Sequence, residues 1–244
     1  RPGDVVAFNI LSQAGAYESA RGPDSPDWTY AQLWDPVHEP VKDARRRVEA
    51  AFEAALRGEG RAPAGTAALW LALYRGTAAT DTAALKAWAD DELFPTAGGW
   101  LSDTLLVGYV DAPTDARRDF DPPAPAGDGI VLRRARTTST APPGGHVAVA
   151  LRWRADAAPA ADHRIVVRLV DGAGRTVAQR DAVPVSESRP TTTWRPGESL
   201  DDRHGLRLPP DAAPGARLRI VVGIVAAVDG RPGPAMDVGE VVVR

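Results

Sequence analysis

The chain has 244 residues, of which 44% are hydrophobic and 25% charged, the proportions of a globular protein long enough for two ordinary domains. Its formal net charge is −3, and neither half is basic enough to suggest nucleic acid as a partner. Cysteine is absent, which excludes disulfides, thiolate metal sites and a cysteine nucleophile.

The first elements alternate between strand and helix patterns. A Pro-Gly-Asp turn precedes a continuous apolar run, Val5 to Ile10, which predicts a strand buried on both faces. Residues Ser12 to Ala20 could form a helix that ends before Gly22-Pro23. From Val41 the apolar residues recur at helical spacing as far as Leu56, and Gly58 ends that helix.

The same alternation continues to about residue 117. Leu69 to Tyr74 predicts a second buried strand, and Leu105 to Val110 predicts a third. Between them, Thr80 or Asp81 can cap a helix that runs through Trp88 and that Pro95 and Gly98-Gly99 end. Strands that alternate with helices are typical of a parallel sheet. We therefore predict a small Rossmann-like α/β domain over residues 1–117, with a mainly parallel sheet.

The second half consists of short strand patterns separated by proline and glycine. Residues 118–128 are rich in Pro, Asp and Ala and are predicted to be a linker. Strands are predicted at Ile130–Thr137, His146–Arg154, Arg164–Val170, Arg175–Val183, Thr191–Trp194, Ser199–Leu208, Arg217–Val228 and Glu240–Val243. This density predicts a β-sandwich, Ig-like or jelly-roll, over residues 129–244, and so a fold class of α/β plus all-β.

Polar and aromatic residues near the first strand are the candidates for ligand binding. Asn9 and Gln13 follow that strand at the sheet edge where open α/β folds bind ligands, although Asn9 could equally cap the next helix. Trp28, Tyr30 and Trp34 form the densest aromatic cluster. Their rings could stack on sugars, lie at a membrane interface, or pin a loop to the core.

Common motifs for nucleotide cofactors, hydrolase nucleophiles and zinc are absent from the sequence. Neither a Gly-rich phosphate-binding motif nor a GxSxG elbow occurs, so no nucleotide cofactor or hydrolase nucleophile is predicted. The four histidines lack paired ligand spacing, and we predict no zinc site. Glu198 with Asp201 and Asp202 could bind calcium, but a solvated turn explains them equally well. No catalytic residue is assigned.

A resemblance to a known family covers most of the chain. In the first half it rests on Pro2-Gly3-Asp4, Phe8-Asn9, Gln13, Gly15, Tyr17, Gly22-Pro23, an LWLALYR strand, Trp100 and Leu105 to Tyr109. In the second half it rests on Trp194 to Glu198, Leu206 to Pro210, Pro214-Gly215, Val222 to Val225 and a final GEVVVR strand. This order resembles the exoplasmic region that follows the membrane spans of bacterial polytopic glycosyltransferases similar to dolichyl-phosphate-mannose protein mannosyltransferases.

The resemblance implies a location and a role. It implies a membrane domain upstream in the same polypeptide, an extracytoplasmic location, and a non-catalytic module that assists glycan or glycolipid acceptor recognition or scaffolds the enzyme. It also adds Tyr17 to the candidate ligand-binding residues. The family's catalytic acidic residue lies in an early loop that does not match this chain. Two alternatives stay open, namely a secreted carbohydrate-binding protein and a self-contained α/β hydrolase or transferase with an appended sandwich.

Overall fold

A computed structural model describes residues 4–8, 29–32, 41–59, 63–74 and 79–244. The chain divides into two compact units, Arg1–Asp111 and Ala112–Arg244. No helix within the described ranges is long and apolar enough to cross a membrane.

The described residues of the first unit form one five-stranded sheet and two helices. Its elements in chain order are β1 (Val5–Phe8), β2 (Thr29–Gln32), α1 (Val41–Leu56), β3 (Leu69–Tyr74), α2 (Ala79–Glu92), β4 (Phe94–Leu101) and β5 (Thr104–Val110). The sheet order is β2-β1-β3-β5-β4. Strands β2, β1 and β3 are parallel, whereas β5 is antiparallel to both β3 and β4.

Apolar spacing explains why the helices of this unit pack where they do. Val48, Phe52 and Ala55 lie on one face of α1 and are buried in the same cluster as Leu69 and Leu71 of β3. The predicted end of α1 is confirmed, since the helix stops at Leu56 and Gly58 has a φ of +77°, a conformation that favours glycine.

A buried carboxylate joins the first strand to the third. Asp4 is 2% exposed, and its Oδ1 accepts a hydrogen bond of 3.0 Å from the Ala68 backbone N–H. Its Oδ2 accepts a second bond of 3.2 Å from Trp70 Nε1. The Asp of the predicted Pro-Gly-Asp turn therefore fixes the start of β1 beside β3.

The predicted fold class, an α/β Rossmann-like domain followed by a β-sandwich, is wrong. The described chain is mostly β in three sheets, and no Rossmann-like α/β domain is evident among its described residues. Leu105 to Val110 was predicted to extend a mainly parallel sheet, but β5 joins β4 in an antiparallel hairpin. A continuous apolar run shows that a strand is buried on both faces but does not determine its direction.

The second unit consists of two sheets that share one hydrophobic core. Its strands are β6 (Ala116–Gly127), β7 (Ile130–Thr137), β8 (Thr140–Ala141), β9 (His146–Ala155), β10 (His163–Val170), β11 (Thr176–Ala182), β12 (Ser199–Arg207), β13 (Arg217–Ala226) and β14 (Met236–Val243). The sheet orders are β11-β10-β13-β14-β8 and β12-β9-β7-β6. Trp153 and Trp194 are the largest fully buried side chains of the core.

Two predictions for the second half are wrong at the level of single elements. Residues 118–128, predicted to be a linker, lie almost wholly in β6, the edge strand of the four-stranded sheet. Thr191–Trp194, predicted to be a strand, contains a 3-10 turn at Thr191–Thr193. Thr193 Oγ1 donates a hydrogen bond of 2.7 Å to the Pro190 carbonyl, a local side-chain bond that competes with strand pairing.

Candidate functional site

The carboxyl ends of the parallel strands meet at one edge of the first sheet. Phe8, the last residue of β1, is aligned with Ala72 of β3, and Tyr74 ends β3. Tyr74 is in turn aligned with Thr104, the first residue of β5. The turn between β4 and β5 therefore lies at the same sheet edge as the ends of β1 and β3, where open sheets bind ligands.

The tip of the β4–β5 hairpin exposes two large apolar side chains. Trp100 is 53% exposed and Leu101 is 64% exposed, whereas Phe94 at the start of β4 is buried. Ser102 follows with a φ of +53°, which makes the tight turn into β5. We call Trp100, Leu101 and this turn the hairpin tip. An exposed indole ring beside a flat strand is a surface on which a sugar ring can stack.

The strand that supports the hairpin tip is fixed to the rest of the unit. Tyr109 of β5 is fully buried, and its hydroxyl donates a hydrogen bond of 2.8 Å to Asp90 Oδ1 on α2. Asp90 Oδ2 also pairs with Lys86 Nζ at 2.5 Å. At Gly108 an added Cβ would lie 2.9 Å from the Trp70 ring, so the indole packs directly on the β5 backbone. The tip therefore projects from a rigid strand.

Most of the residues predicted to bind a ligand lie outside the described residues. Asn9, Gln13, Tyr17, Trp28 and Trp34 are in this group. The backbone of Tyr30 lies in β2, aligned with Val6 of β1, which places it in the parallel part of the sheet. Asn9 follows Phe8 directly and so continues the chain from the carboxyl end of β1.

Sequence reasoning missed the hairpin tip as a candidate site. Trp100 entered only as a landmark of the family resemblance, because Pro95 and Gly98-Gly99 were interpreted as the end of a helix and not as a strand. The available signal was a large aromatic followed by Leu101, a Ser-Asp turn and the apolar strand β5. That order is typical of a hairpin with an exposed tip.

The second unit contains a buried acid–histidine pair that sequence reasoning also missed. Asp202 and His204 occupy alternate positions on the inner face of β12, and each side chain is 1% exposed. His204 Nε2 lies 2.7 Å from Asp202 Oδ2, and Asp202 Oδ1 accepts a bond of 2.8 Å from the Val185 N–H.

Through Asp202, this pair is hydrogen-bonded to one strained turn of the backbone. Val185 belongs to α3 (Pro184–Glu187), in which Val185 and Ser186 have left-handed backbone angles with φ near +55° and +54°. Left-handed angles are costly for a β-branched residue, and the bond from Asp202 offsets part of that cost. Because the pair is closed to solvent, we assign it to the architecture of this turn and not to chemistry on a ligand.

The three acidic residues weighed as calcium ligands point in different directions. Asp201 pairs with Arg152 on the outer face of the sheet, Asp202 is buried beside His204, and Glu198 pairs with Arg189 at 2.8 Å. In the part of the chain that the structure describes, no group of three or more His, Cys, Asp or Glu side chains is arranged to hold a metal ion.

No family model and no curated protein matches this chain. Among solved structures it is similar to a β-glucuronidase from glycoside hydrolase family 2, at 10% identity and a TM-score of 0.34, over 58% of this chain and 14% of that one. It is also similar to a protein designated ApaA from Bordetella pertussis, at 15% identity and a TM-score of 0.24, over 51% of this chain and 85% of that one.

A third similar structure is an endonuclease/exonuclease/phosphatase from Beutenbergia cavernae DSM 12333, at 15% identity and a TM-score of 0.28, over 84% of this chain and 61% of that one. TM-scores this low leave the function of the chain to be argued from its own residues.

Proposed function

We propose that this chain is a non-catalytic glycan-recognition module on the extracytoplasmic side of a membrane glycosyltransferase. The observation that carries the proposal is the exposed Trp100 ring at the hairpin tip. It stands at the sheet edge where the carboxyl ends of β1 and β3 meet, which is where the sequence predicted polar ligand-binding residues.

The geometry of the hairpin tip suits weak recognition of a sugar. A single exposed indole offers one face on which a sugar ring can stack. Stacking on an aromatic ring contributes about 0.5–1.5 kcal/mol beyond buried area, so the expected affinity is low. Several weak contacts would be useful in a module that presents an acceptor to an enzyme, because the acceptor must be released after transfer.

The test is titration of the whole chain with a mannose oligosaccharide, the sugar class implied by the family resemblance. We expect Trp100 fluorescence or its indole NMR signal to change on binding, and Trp100→Ala to weaken binding about three- to tenfold. Trp100→Phe should keep most of the affinity because it keeps an aromatic face. The matched control is Val228→Ala, which removes an exposed apolar side chain, 86% exposed, from the second unit.

A second measurement separates recognition from catalysis. We expect the purified chain to transfer no sugar from a lipid-phosphate donor to the oligosaccharide. Transfer by the chain alone would overturn the non-catalytic assignment. Binding that is unchanged in Trp100→Ala would remove the hairpin tip from the proposed site.

A further inference from the structure

One face of the second unit carries a concentration of arginine side chains. On β9 the buried residues Leu151 and Trp153 point into the core, so the alternate residues Arg152 and Arg154 point outward. Residues aligned with these positions on the neighbouring strands lie on the same face of the sheet. We call this surface the arginine face, and its members are Arg117 on β6, Arg134 and Arg136 on β7, Arg152 and Arg154 on β9, and Arg203 on β12.

The strand register aligns these arginines in rows across the sheet. In one row Arg203 is aligned with Ala150, Ala150 with Arg136, and Arg136 with Arg117. This row spans all four strands, or about 14 Å at the usual strand spacing. It contains three arginines and no acidic side chain.

The neighbouring row places two arginines directly opposite each other. Arg152 is aligned with Arg134, and the row ends in Asp201 on one side and Asp119 on the other. Like charges that face each other across strands destabilise a sheet. Arg117 and Arg134 hold the pKa of Asp119 below its usual value, so that carboxylate stays ionised and partly offsets the repulsion.

The charge balance of this face differs from that of the chain. Six arginines and three paired aspartates, Asp119, Asp156 and Asp201, leave a formal charge of +3 on the face, while the whole chain carries −3. On the outer side of the other sheet Arg168 donates a hydrogen bond to Gln179, and other arginines face an acid. Arg164 pairs with Asp181 at 2.6 Å and Arg217 with Glu240 at 2.6 Å.

From this geometry we propose that the arginine face binds an anionic polysaccharide, a polymer that carries carboxylate or phosphate groups. Guanidinium groups bind such anions through paired, charge-assisted hydrogen bonds. Four of the members have 35–56% of the side chain exposed, and each of these four also pairs with an aspartate. A polymer laid along the acid-free row would meet Arg203, Arg136 and Arg117 in succession.

The composition of the face favours a polysaccharide over other polyanions. The third row reads Ser199, Arg154, Val131 and Pro125, and Val131 is the largest aliphatic side chain in the three rows. Binding in a membrane interface needs apolar side chains beside the cations, and single-stranded nucleic acid needs aromatic rings for its bases. The three rows, which lie in the fully described residues 112–244, present no aromatic ring on this side.

The test uses the full chain and oligogalacturonate as the polyanionic probe, with neutral dextran, anionic phospholipid vesicles and duplex DNA as comparisons. The variant Arg134→Ser/Arg136→Ser removes two charges from the arginine face. The matched control, Arg217→Ser/Arg219→Ser, removes two charges from the outer side of the other sheet. Circular dichroism and thermal melting establish that both variants are folded.

We expect the chain to bind oligogalacturonate and not dextran, with an affinity that falls as salt is raised. Arg134→Ser/Arg136→Ser should weaken this binding about tenfold or more, and the control should leave it nearly unchanged. Absence of binding, equal losses in the two variants, or tighter binding of vesicles or DNA would overturn the proposal. Mannose binding at the hairpin tip should not change in either variant, so this proposal and the proposed function can fail independently.

Discussion

The buried pair of Asp202 and His204 makes a sharp prediction about the stability of the second unit. Replacing Asp202 with alanine leaves the Val185 N–H and the His204 ring without the carboxylate that each now contacts. Leaving a buried polar group without its hydrogen-bond partner costs about 1–3 kcal/mol, and two groups lose their partner here. We therefore expect Asp202→Ala to lower the free energy of unfolding by about 2–5 kcal/mol.

The adjacent residue offers a control of the same chemistry. Asp201 is 71% exposed and pairs with Arg152 on the outer side of the same strand. An exposed pair of this kind contributes about 0–1 kcal/mol, so Asp201→Ala should be nearly neutral. The two variants remove the same side chain from neighbouring positions, and the difference between them measures the effect of burial.

Urea titration followed by circular dichroism gives the free energy of unfolding, and hydrogen exchange of peptides from β12 assigns the transition to the second unit. Asp202→Asn should lose less than Asp202→Ala, since an amide oxygen can still accept the bond from Val185. A loss below about 1 kcal/mol for Asp202→Ala, or one equal to that of Asp201→Ala, would refute the reasoning.

Three further predictions concern the core, the hairpin and acid stability. Leu71→Asp should abolish cooperative melting of the first unit, because it places a lone carboxylate at a fully buried position, and an unchanged melting curve would show that β3 is not core. Gly108→Ala should cost about 1–3 kcal/mol because its Cβ would meet the Trp70 ring, whereas Gly99→Ala, with no atom within 4 Å, should be tolerated. The Arg195 backbone N–H, and then Arg189, hold the pKa of Glu198 below its usual value. As the pH falls, the Glu198 carboxylate is protonated in the unfolded chain before it is protonated in the folded chain. The stability that Glu198 contributes is therefore present at neutral pH and is lost as the pH falls through its lowered pKa. Urea midpoints of the natural chain and Glu198→Gln should therefore converge as the solution is acidified, and a constant difference would contradict this.

Elements with one strong local signal could be predicted from the sequence. The helix Val41–Leu56 and the strands Leu69–Tyr74 and Ile130–Thr137 have the predicted limits. In each of these elements, the spacing of the apolar residues in the sequence matches the positions that are buried in the structure. The direction of β5 could not be predicted, since its residues are buried in the same way whether the neighbouring strand is parallel or antiparallel.

The functional surfaces depend on residues that are distant in the chain, and this limits what the sequence reveals. Arg134 and Arg136, like Arg152 and Arg154, show a period of two that could have indicated one strand face each. Their alignment in rows with Arg117 and Arg203 requires the strand register, which local patterns do not specify. The hairpin tip was missed for a different reason, because Gly98-Gly99 was interpreted as a break and not as part of an exposed edge strand.

The proline-rich strand β6 has a consequence for how molecules of this protein meet. An edge strand normally presents unpaired N–H and C=O groups to which a strand from another molecule can add. The edge strand β6 contains Pro122, Pro123 and Pro125, which have no N–H to donate. An incoming strand would find the ladder interrupted over this stretch, so the residues that resemble a linker protect the sheet from edge-to-edge aggregation.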